Sequence, residues 1–257
     1  MNKYALITGA SSGIGYEFSK QLASLGYNLI VVARRLDKLN QLKEEVTKEN
    51  KELDVIVINL DLSIIDNCQK LMEQIKNKEI EIFINNAGFG YCEEFIQTPL
   101  EKEISMIDLN VKSMHILLKE VLNLMIKRNS GYILNVASSA GLMPAGPYMS
   151  TYYATKSYVT SLTRGINFEL KEKKIPVYVG TLCPGPVDTE FSKSANVKFS
   201  LKGISSEKCV AYTLKKMWKK KTLIVPTFKM KAAVTLGRFI SQKLLIKMTA
   251  KQQKKKM

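Results

Sequence analysis

The sequence predicts one doubly wound α/β domain, in which helices cover both faces of a parallel sheet. Three observations predict this fold class. Short apolar and β-branched runs alternate with longer segments of helical periodicity. The short runs are apolar throughout rather than alternating, which is typical of strands buried on both faces. The length of 257 residues suits one large α/β domain, because successive βα units share a continuous core.

The elements follow one another in βα order along the chain. The predicted strands are Tyr4–Thr8, Asn28–Ala33, Asp54–Ile58, Ile80–Ile84, Gly131–Val136, Ile175–Leu182 and Leu223–Val225. The clearest predicted helices are Ile14–Leu25, Lys38–Glu49, Ile64–Asn77 and Glu101–Lys127. Right-handed crossovers through such helices keep the strands parallel. Because no Pro-, Gly- or Ser-rich linker divides the chain, we expect a main domain over residues 1–226 and a basic amphipathic extension over residues 227–257.

The net charge of +16 is concentrated near the C-terminal end. Residues 208–257 contain 15 Lys or Arg and no Asp or Glu, whereas residues 1–207 hold 24 basic and 23 acidic side chains. Within the basic segment the apolar residues that recur at helical spacing are Phe239, Ile240, Leu244, Leu245 and Met248. Such a helix suits an anionic membrane surface or an acidic partner, and it equally suits packing on the protein itself. No recognition motif accompanies the charge, so we expect no specific nucleic-acid partner.

Composition argues against several other classes of protein. No apolar run reaches the roughly 18 residues that would span a bilayer. The N-terminal residues enter a short strand directly, so we expect no signal peptide. The four cysteines lie far apart in the sequence, which favours reduced thiols in a cytoplasmic protein and no metal site.

A glycine-rich turn joins the first predicted strand to the first helix. Glycines let the backbone bend tightly and approach a pyrophosphate, whose charge the N-terminus of the following helix stabilises. Since this turn follows a strand and opens a helix, it predicts a Rossmann-type dinucleotide site. The expected contacts are Gly9, Ser11, Ser12, Gly13, Ile14 and Gly15.

The end of the second strand indicates which nicotinamide nucleotide binds. NAD sites usually place an Asp or Glu there to bind the ribose 2′-hydroxyl. This sequence instead has Arg34 and Arg35, with no acid until Asp37. Guanidinium groups suit a 2′-phosphate through charge-assisted, bidentate hydrogen bonds. We therefore expect NADP(H) rather than NAD(H), with Ser11 or Ser12 as a further contact.

Two more groups of residues follow later strands. Ligands of open α/β sheets bind at the carboxyl ends of the strands. Asp61 and Leu62 follow the third strand, and the sequence NNAG at residues 85–88 follows the fourth. We expect cofactor contacts from Asp61, Leu62, Asn86, Ala87 and Gly88, the last three beside the adenosine ribose.

Ser138, Tyr152 and Lys156 form the group that carries chemistry. Tyr152 and Lys156 are four residues apart and would share one face of a helix. A free tyrosine has a pKa of about 10, too high for ready proton exchange at neutral pH. A neighbouring ammonium group and an oxidised nicotinamide would both stabilise the phenolate and lower that pKa. We therefore expect Tyr152 to exchange a proton with the substrate.

In combination these motifs resemble the classical short-chain dehydrogenase/reductase family. The resemblance covers about residues 3–190 and includes, in the family's order, the glycine turn, Asp61, the NNAG segment, Asn110, Ser138, Tyr152, Lys156, Pro184 and Gly185. It implies that Tyr152 is the general acid in reduction and the base in oxidation. Lys156 would lower the pKa of Tyr152 and hold the nicotinamide ribose. Ser138 would hydrogen-bond to the substrate oxygen, and Asn110 would help to hold a water in a proton relay.

The resemblance also assigns the segment that follows the sixth strand. Pro184, Gly185, Val187 and Thr189 would lie over the nicotinamide. Residues 191–206 would form a mobile lid over the substrate. The family further suggests a homo-oligomer.

Two serines compete for the catalytic position. Ser139 lies 13 residues before Tyr152, a common interval in the family, whereas Ser138 lies 14 residues before it. A glycine three residues after Ser138 also matches the family pattern, so we prefer Ser138 and leave Ser139 open. Tyr153 is a weaker candidate than Tyr152, because it lies three residues from Lys156 rather than four.

The sequence thus predicts an NADP(H)-dependent oxidoreductase that acts on the carbonyl or alcohol group of a small molecule. The alternative is a non-catalytic nucleotide-binding protein that docks on a membrane surface or an acidic partner through its basic helix. The complete set of Ser138, Tyr152 and Lys156 favours the enzyme, since a binding protein has no need of a tuned phenol. We expect a cytoplasmic location and leave peripheral membrane contact of the extension open.

Overall fold

The strands of the chain form one large parallel sheet and one small pair. In the computed structural model, which describes residues 3–191, 195, 203–237 and 239–255, the strands are β1 (Lys3–Thr8), β2 (Asn28–Ala33), β3 (Val55–Asn59), β4 (Glu79–Asn85), β5 (Tyr132–Val136), β6 (Tyr178–Leu182), β7 (Val187–Asp188), β8 (Ile204–Ser205) and β9 (Leu223–Ile224). The seven-stranded sheet has the order β3-β2-β1-β4-β5-β6-β9, and β7 pairs with β8. All seven predicted strands belong to the large sheet, which confirms the predicted fold class.

Helices connect the strands and cover both faces of the sheet. They are α1 (Gly13–Ser24), α2 (Leu36–Glu49), α3 (Asp66–Ile75), α4 (Leu100–Ile107), α5 (Met114–Lys127), α6 (Ser150–Glu172), α7 (Ser206–Trp218), α8 (Phe228–Gly237) and α9 (Gln242–Lys254). A π-helical turn at Asp108–Ser113 joins α4 to α5, so the helix predicted at Glu101–Lys127 is present with a widened turn in its middle. A 3-10 turn at Ser139–Leu142 follows β5.

One predicted strand begins later than expected. β6 starts at Tyr178, whereas the apolar pattern predicted a start at Ile175. Lys174 adopts a left-handed φ of 54°, and the Ile175 amide donates to the Leu170 carbonyl oxygen at 2.9 Å. These features complete the C-terminal turn of α6, as in the usual αL helix ends. The backbone amide of Ile175 is therefore used by the helix and not by the sheet.

Alternate residues of β1 pack into opposite layers of the core. Ala5 and Ile7 pack in the layer that includes α1, α2 and α7, while Leu6 packs in the layer that includes α3, α5 and α6. All three side chains are completely buried. Burial from both sides explains why the predicted strands are apolar throughout.

The direction of the strand order reverses at β1. This strand pairs with β2 on one side and with β4 on the other, both in parallel. The connections on the two sides of such a reversal leave a crevice at the carboxyl ends of the strands, where open α/β sheets bind ligands. The topology therefore locates the ligand site before any side chain is considered.

The cysteines, potential metal ligands and helix lengths bear on other classes of protein. The four cysteines are all buried. In the part of the chain that the structure describes, no group of His, Cys, Asp or Glu could hold a metal ion. Among these same residues, no helix is both long and apolar enough to cross a membrane.

Candidate active site

A cavity of about 1140 Å³ lies at the carboxyl ends of the strands. Single small-molecule sites commonly measure about 300–1000 Å³, so this cavity has room for a dinucleotide together with a substrate. All the predicted site residues line it except Gly15 and Asn110. The folded chain therefore brings together residues that the sequence distributes from Gly9 to Thr189.

The glycine turn between β1 and α1 has a backbone that requires glycine. Gly9 and Gly13 have φ values of +67° and +58°, in the left-handed region that other residues adopt only at a cost. A Cβ on Gly15 would collide with the Gly9 carbonyl oxygen. Ser12 is the N-cap of α1, and its side chain makes no hydrogen bond to the helix amides. The first amides of α1 therefore remain available to an anionic group.

Asn86 ties the end of β4 to the glycine turn. Its Nδ2 donates to the Thr8 carbonyl oxygen at 2.8 Å, and its backbone N–H donates to Thr8 Oγ1 at 2.9 Å. The Ala87 amide donates to the same hydroxyl at 3.0 Å. Asn86 thus holds the turn in place, while Ala87 and Gly88 line the cavity.

Arg34 and Arg35 lie at the carboxyl end of β2 and point to different acids. Arg34 is 3.8 Å from the Asp61 carboxylate. Arg35 donates to Ser11 Oγ at 3.2 Å and forms an ion pair with Glu190 at 2.9 Å. The Arg35 guanidinium lowers the pKa of Glu190. Sequence reasoning identified the arginines and Ser11 but missed Glu190, because only the folded segment after β7 brings that carboxylate to β2.

Asp61 and Leu62 lie at the end of β3. Asp61 Oδ1 accepts hydrogen bonds from the Ser63 amide at 2.9 Å and from Ser63 Oγ at 2.7 Å. Leu62 is buried in the apolar core behind the cavity wall. Asp61 is therefore held by its own loop, in an orientation that also reaches Arg34.

Ser138 contacts the Tyr152 hydroxyl. Its side chain hydrogen-bonds to Tyr152 and also accepts from the Ala140 amide at 3.1 Å, as the N-cap of the 3-10 turn. The backbone of Ser139 is used differently, since its amide donates to the Pro184 carbonyl oxygen at 2.8 Å. Of the two serines that the sequence left open, the one in contact with the tyrosine is Ser138.

Tyr152 and Lys156 lie one turn apart on α6, and both are buried. Burial raises the pKa of Tyr152 to about 12, against the smaller lowering effect of the Ser138 hydrogen bond. Burial lowers the pKa of Lys156 to about 8. Lys156 Nζ donates to the Val136 carbonyl oxygen at 2.9 Å and lies 5.9 Å from the centre of the Tyr152 ring. Burial therefore dominates the pKa of Tyr152 among these side chains, and the lowering expected from the lysine together with an oxidised nicotinamide stays a prediction.

Asn110 lies in the π-helical turn, behind the wall of the cavity. Its Nδ2 donates to the Phe89 carbonyl oxygen at 2.8 Å and to Thr155 Oγ1 at 3.2 Å, and its Oδ1 accepts from the Phe89 amide at 3.0 Å. A side chain on Gly88 would meet both Asn110 Oδ1 and Lys156 Nζ. Asn110 therefore connects the loop after β4 to α6 beside the buried lysine.

The segment after β6 covers the cavity from the sheet to the glycine turn. Pro184, Gly185, Val187 and Thr189 all line it. The Thr189 side chain lies directly over Gly13, where a Cβ would come within 3.0 Å of Thr189 Cγ2. These four residues therefore lie at the cavity, and their predicted position over the nicotinamide stays a prediction.

The predicted lid at residues 191–206 can be compared with the structure only in part, since residues 192–194 and 196–202 lie outside the described residues. Phe191 lies against Tyr152, with 5.6 Å between the ring centres. Ala195 is buried and accepts a hydrogen bond from the Cys92 amide at 3.0 Å. At the other end, β8 pairs with β7 through Ile204 and Val187. The described parts of the segment therefore pack against the site.

The C-terminal helices form a further wall that sequence reasoning missed. The residues of α8, α9 and their connection that line the cavity include Met230, Ala233, Leu236, Ile240, Leu245, Met248, Thr249 and Gln253. A Cβ on Gly185 would come within 2.7 Å of the Met230 side chain. The apolar spacing in this segment was visible in the sequence, but it did not distinguish a surface helix from a wall of the site.

Gln253 is the polar member of this wall. It is buried, and its Nε2 donates to the Tyr153 hydroxyl. Its Oε1 is buried and accepts no hydrogen bond from the described residues. Thr249, one turn earlier on α9, is also buried. The one available signal was a pair of polar residues four positions apart in a lysine-rich helix, which gives no indication of what they contact.

Comparison with known proteins supports the family resemblance that the sequence motifs indicate. A sequence profile of short chain dehydrogenases matches residues 3–198. The chain is 32% identical over 197 residues to very-long-chain 3-oxoacyl-CoA reductase of Mus musculus, an alignment that covers 75% of this chain and 62% of that protein. It is 34% identical over 199 residues to 17-beta-hydroxysteroid dehydrogenase type 3 of Rattus norvegicus, covering 76% and 63% of the two chains. The aligned segment thus spans less than two thirds of each relative's length.

A solved structure extends the similarity to nearly the whole chain. The short-chain dehydrogenase from Sphingobium yanoikuyae in complex with NADPH is 28% identical, with a TM-score of 0.84 and coverage of 94% of both chains. The family profile covers well over half of this chain, and the sheet order and the motifs agree with it. The chain therefore belongs to the classical short-chain dehydrogenase/reductase family.

Proposed function

We propose that this protein is an NADP(H)-dependent oxidoreductase that interconverts a carbonyl and an alcohol on a lipophilic substrate. The observation that carries the proposal is the buried Tyr152 hydroxyl, which is hydrogen-bonded to Ser138 one helical turn from Lys156. These three residues line one cavity together with the glycine turn. A proton-exchanging group thus shares a single enclosed space with a predicted nucleotide site.

The end of the cavity near β1 fits a dinucleotide. Gly9 and Gly13 present bare backbone at two points of the turn, and the amides at the start of α1 can bind a pyrophosphate. Thr189 would cover the cofactor from the opposite side. When bound, NADPH would supply the hydride for reduction. The similar structure with NADPH supports this choice of cofactor class.

Arg34 and Arg35 favour a cofactor with a 2′-phosphate. Arg35 already donates to Ser11, so an anion between these residues and Arg34 would receive several hydrogen bonds. In this structure the Arg35 guanidinium forms an exposed ion pair with the Glu190 carboxylate. Such exposed pairs stabilise by only about 0–1 kcal/mol, so a phosphate dianion can replace the carboxylate.

Tyr152 is suited to donate a proton to a carbonyl oxygen. Because burial raises its pKa to about 12, the hydroxyl is protonated at neutral pH. Ser138, bonded to the same hydroxyl, is placed to hold the substrate oxygen. Lys156 keeps its positive charge below a pKa of about 8, and this charge stabilises the phenolate that remains after proton donation. At neutral pH the site therefore favours carbonyl reduction.

Asn110 would act through its position and not by direct contact with substrate. Its carboxamide is already bonded to Phe89 and Thr155. A π-helical turn breaks the regular hydrogen-bond pattern of a helix and commonly occurs at functional sites. We expect a water of the proton relay to be held by the backbone of this turn beside Lys156.

The substrate end of the cavity is mainly apolar. Phe191, Met149 and Met248 line it near Tyr152 and the C-terminal wall. Gln253 Oε1 offers one buried acceptor to a hydrogen-bond donor of the substrate. Two relatives are named for a very-long-chain 3-oxoacyl group and for a 17-beta-hydroxysteroid, which are both bulky and lipophilic. We infer a substrate of that physical class.

The test compares Tyr152→Phe with the wild type in NADPH-dependent reduction of a long-chain 3-oxoacyl thioester and of a steroid ketone. Removal of a general acid commonly lowers the rate by about 10²–10⁴-fold. NADPH binding should be retained, because the phenyl ring still packs against Phe191. Tyr158→Phe is the matched control, since Tyr158 is on the same helix but bonds to His115 outside the cavity. Normal turnover by Tyr152→Phe would refute the proposed mechanism.

A further inference from the structure

The helices α8 and α9 have an outer surface that the active site does not explain. Phe228 and Phe239 are 85% and 86% exposed, at the start of α8 and just after its end. Leu244 on α9 is also largely exposed. Aromatic and aliphatic side chains of this size are usually covered in a soluble protein, and neighbouring exposed ones mark an interaction surface.

The same surface carries a group of lysines that form no ion pair with a described acid. The exposed lysines of the segment are Lys229, Lys231, Lys243, Lys247, Lys251, Lys254 and Lys255. Within the described ranges, none of them forms an ion pair with an Asp or Glu. Residues 208–257 contain no acidic residue at all. The partner that best complements this surface is therefore anionic and presents an apolar layer for the aromatic side chains.

The mouth of the cavity is continuous with this surface. Leu236 and Met248 line the cavity, yet they are 63% and 53% exposed. They lie on α8 and α9, the helices that also carry the exposed lysines and Leu244. An apolar molecule thus has an apolar route from the outer face into the site, beside the exposed Lys229 and Gln252 that also line the cavity.

We propose that the outer face of α8 and α9 docks on an anionic lipid surface, so that the cavity opens toward the bilayer and takes its lipophilic substrate from it. The docking rests only on charge and exposure, whereas the delivery of substrate rests on the function proposed above. A second copy of this chain complements the face poorly, because two such faces would bring unneutralised lysines together. The basic amphipathic pattern and the apolar mouth both fit a membrane interface.

Docking is tested by sedimentation of the full chain with vesicles of phosphatidylcholine, with and without phosphatidylserine. The test variant combines Lys243→Glu, Lys247→Glu and Lys251→Glu, all on exposed positions of α9 outside the cavity lining. The matched control makes the same charge change at exposed positions on α2 and in the turn after it, with Lys43→Glu, Lys48→Glu and Lys51→Glu.

The wild type and the control should sediment with the anionic vesicles and much less with phosphatidylcholine alone. Each surface lysine strengthens such binding by roughly fivefold, so the α9 variant should lose at least about 100-fold. No sedimentation of the wild type, or equal loss in the control, would overturn the proposal. Sedimentation unchanged in the α9 variant, or an α9-dependent dimer in place of vesicle binding, would overturn it as well.

A second readout separates docking from catalysis. Tyr152→Phe should sediment like the wild type, because docking does not use the catalytic tyrosine. The α9 variant should reduce a short, water-soluble ketone at the wild-type rate but lose turnover on a long-chain ketone that is embedded in anionic vesicles. Equal turnover of the embedded ketone by the wild type and the α9 variant would refute delivery from the bilayer. Failure of these two proteins to reduce any ketone would count against the proposed function, but it would not change the docking result.

Discussion

Replacement of Arg35 by alanine should weaken NADPH binding and leave NADH binding nearly unchanged. A hydrogen bond to a charged group contributes about 1.5–3 kcal/mol. Arg34 and Arg35 have side chains that are 68% and 43% exposed, so solvent screening places each at the lower end of that range. We therefore expect Arg35→Ala to lower NADPH affinity about tenfold, and the double Arg34→Ala/Arg35→Ala variant about 100-fold.

A substitution at Glu190 should change NADPH affinity in the opposite direction. Glu190→Gln removes the anion that now pairs with Arg35 at 2.9 Å. An exposed ion pair is worth about 0.2–1 kcal/mol, so NADPH affinity should rise by up to about fivefold. The gain should vanish in the Arg35→Ala background, because no guanidinium is then released.

The affinities of the arginine and Glu190 variants are measured by nucleotide fluorescence in titrations with NADPH and NADH. Arg164→Ala is the control for loss of an exposed arginine, since Arg164 does not line the cavity. A parallel loss of NADPH and NADH affinity in Arg35→Ala would indicate general damage to the site. Unchanged NADPH affinity would refute the assignment of the 2′-phosphate to these arginines.

The remaining predictions concern the lysine charge, the glycine turn and the C-terminal wall. Burial lowers the pKa of Lys156 to about 8. The value of kcat/KM for ketone reduction should therefore be level below that pH and fall about tenfold per pH unit above it. A profile that is flat to pH 10 would contradict the role of the lysine charge. Gly15→Ala should lower NADPH affinity by at least about tenfold in the same titration, since its Cβ would collide with the Gly9 carbonyl oxygen, whereas Gly165→Ala, where a Cβ has open space, should bind normally. Gln253→Leu should raise KM several-fold for a substrate with a distal hydrogen-bond donor but not for its analogue without one, and equal KM changes would exclude this contact.

The fold was predictable because its signal is local and repeated. The strands of the sheet are short apolar runs that alternate with helices along the chain, so the layer order follows from periodicity. The pair Tyr152 and Lys156 was also predictable, since four residues on a helix give one fixed geometry. The start of β6 was not, because the amide of Ile175 is taken by the end of α6.

The parts of the site that sequence reasoning missed depend on contacts between distant segments. Gln253 reaches Tyr153 across 100 positions of sequence, and Glu190 meets Arg35 only after the chain has crossed the sheet. Burial raises the pKa of Tyr152 in the folded chain, which the sequence does not show, whereas the lowering expected from Lys156 together with an oxidised nicotinamide stays a prediction. Burial and long-range contact are properties of the folded chain, so neither can be read from spacing.

In the proposed function this chain transfers a hydride between the nicotinamide and a carbonyl carbon while Tyr152 supplies the proton. The most direct test is single-turnover reduction of a lipophilic ketone with NADPH that carries deuterium at both hydrogens of nicotinamide C4, followed by mass spectrometry of the product. We expect one deuterium on the new carbinol carbon with the wild type, and no labelled alcohol within the same time with Tyr152→Phe. An alcohol without deuterium, or equal labelling by both proteins, would contradict it.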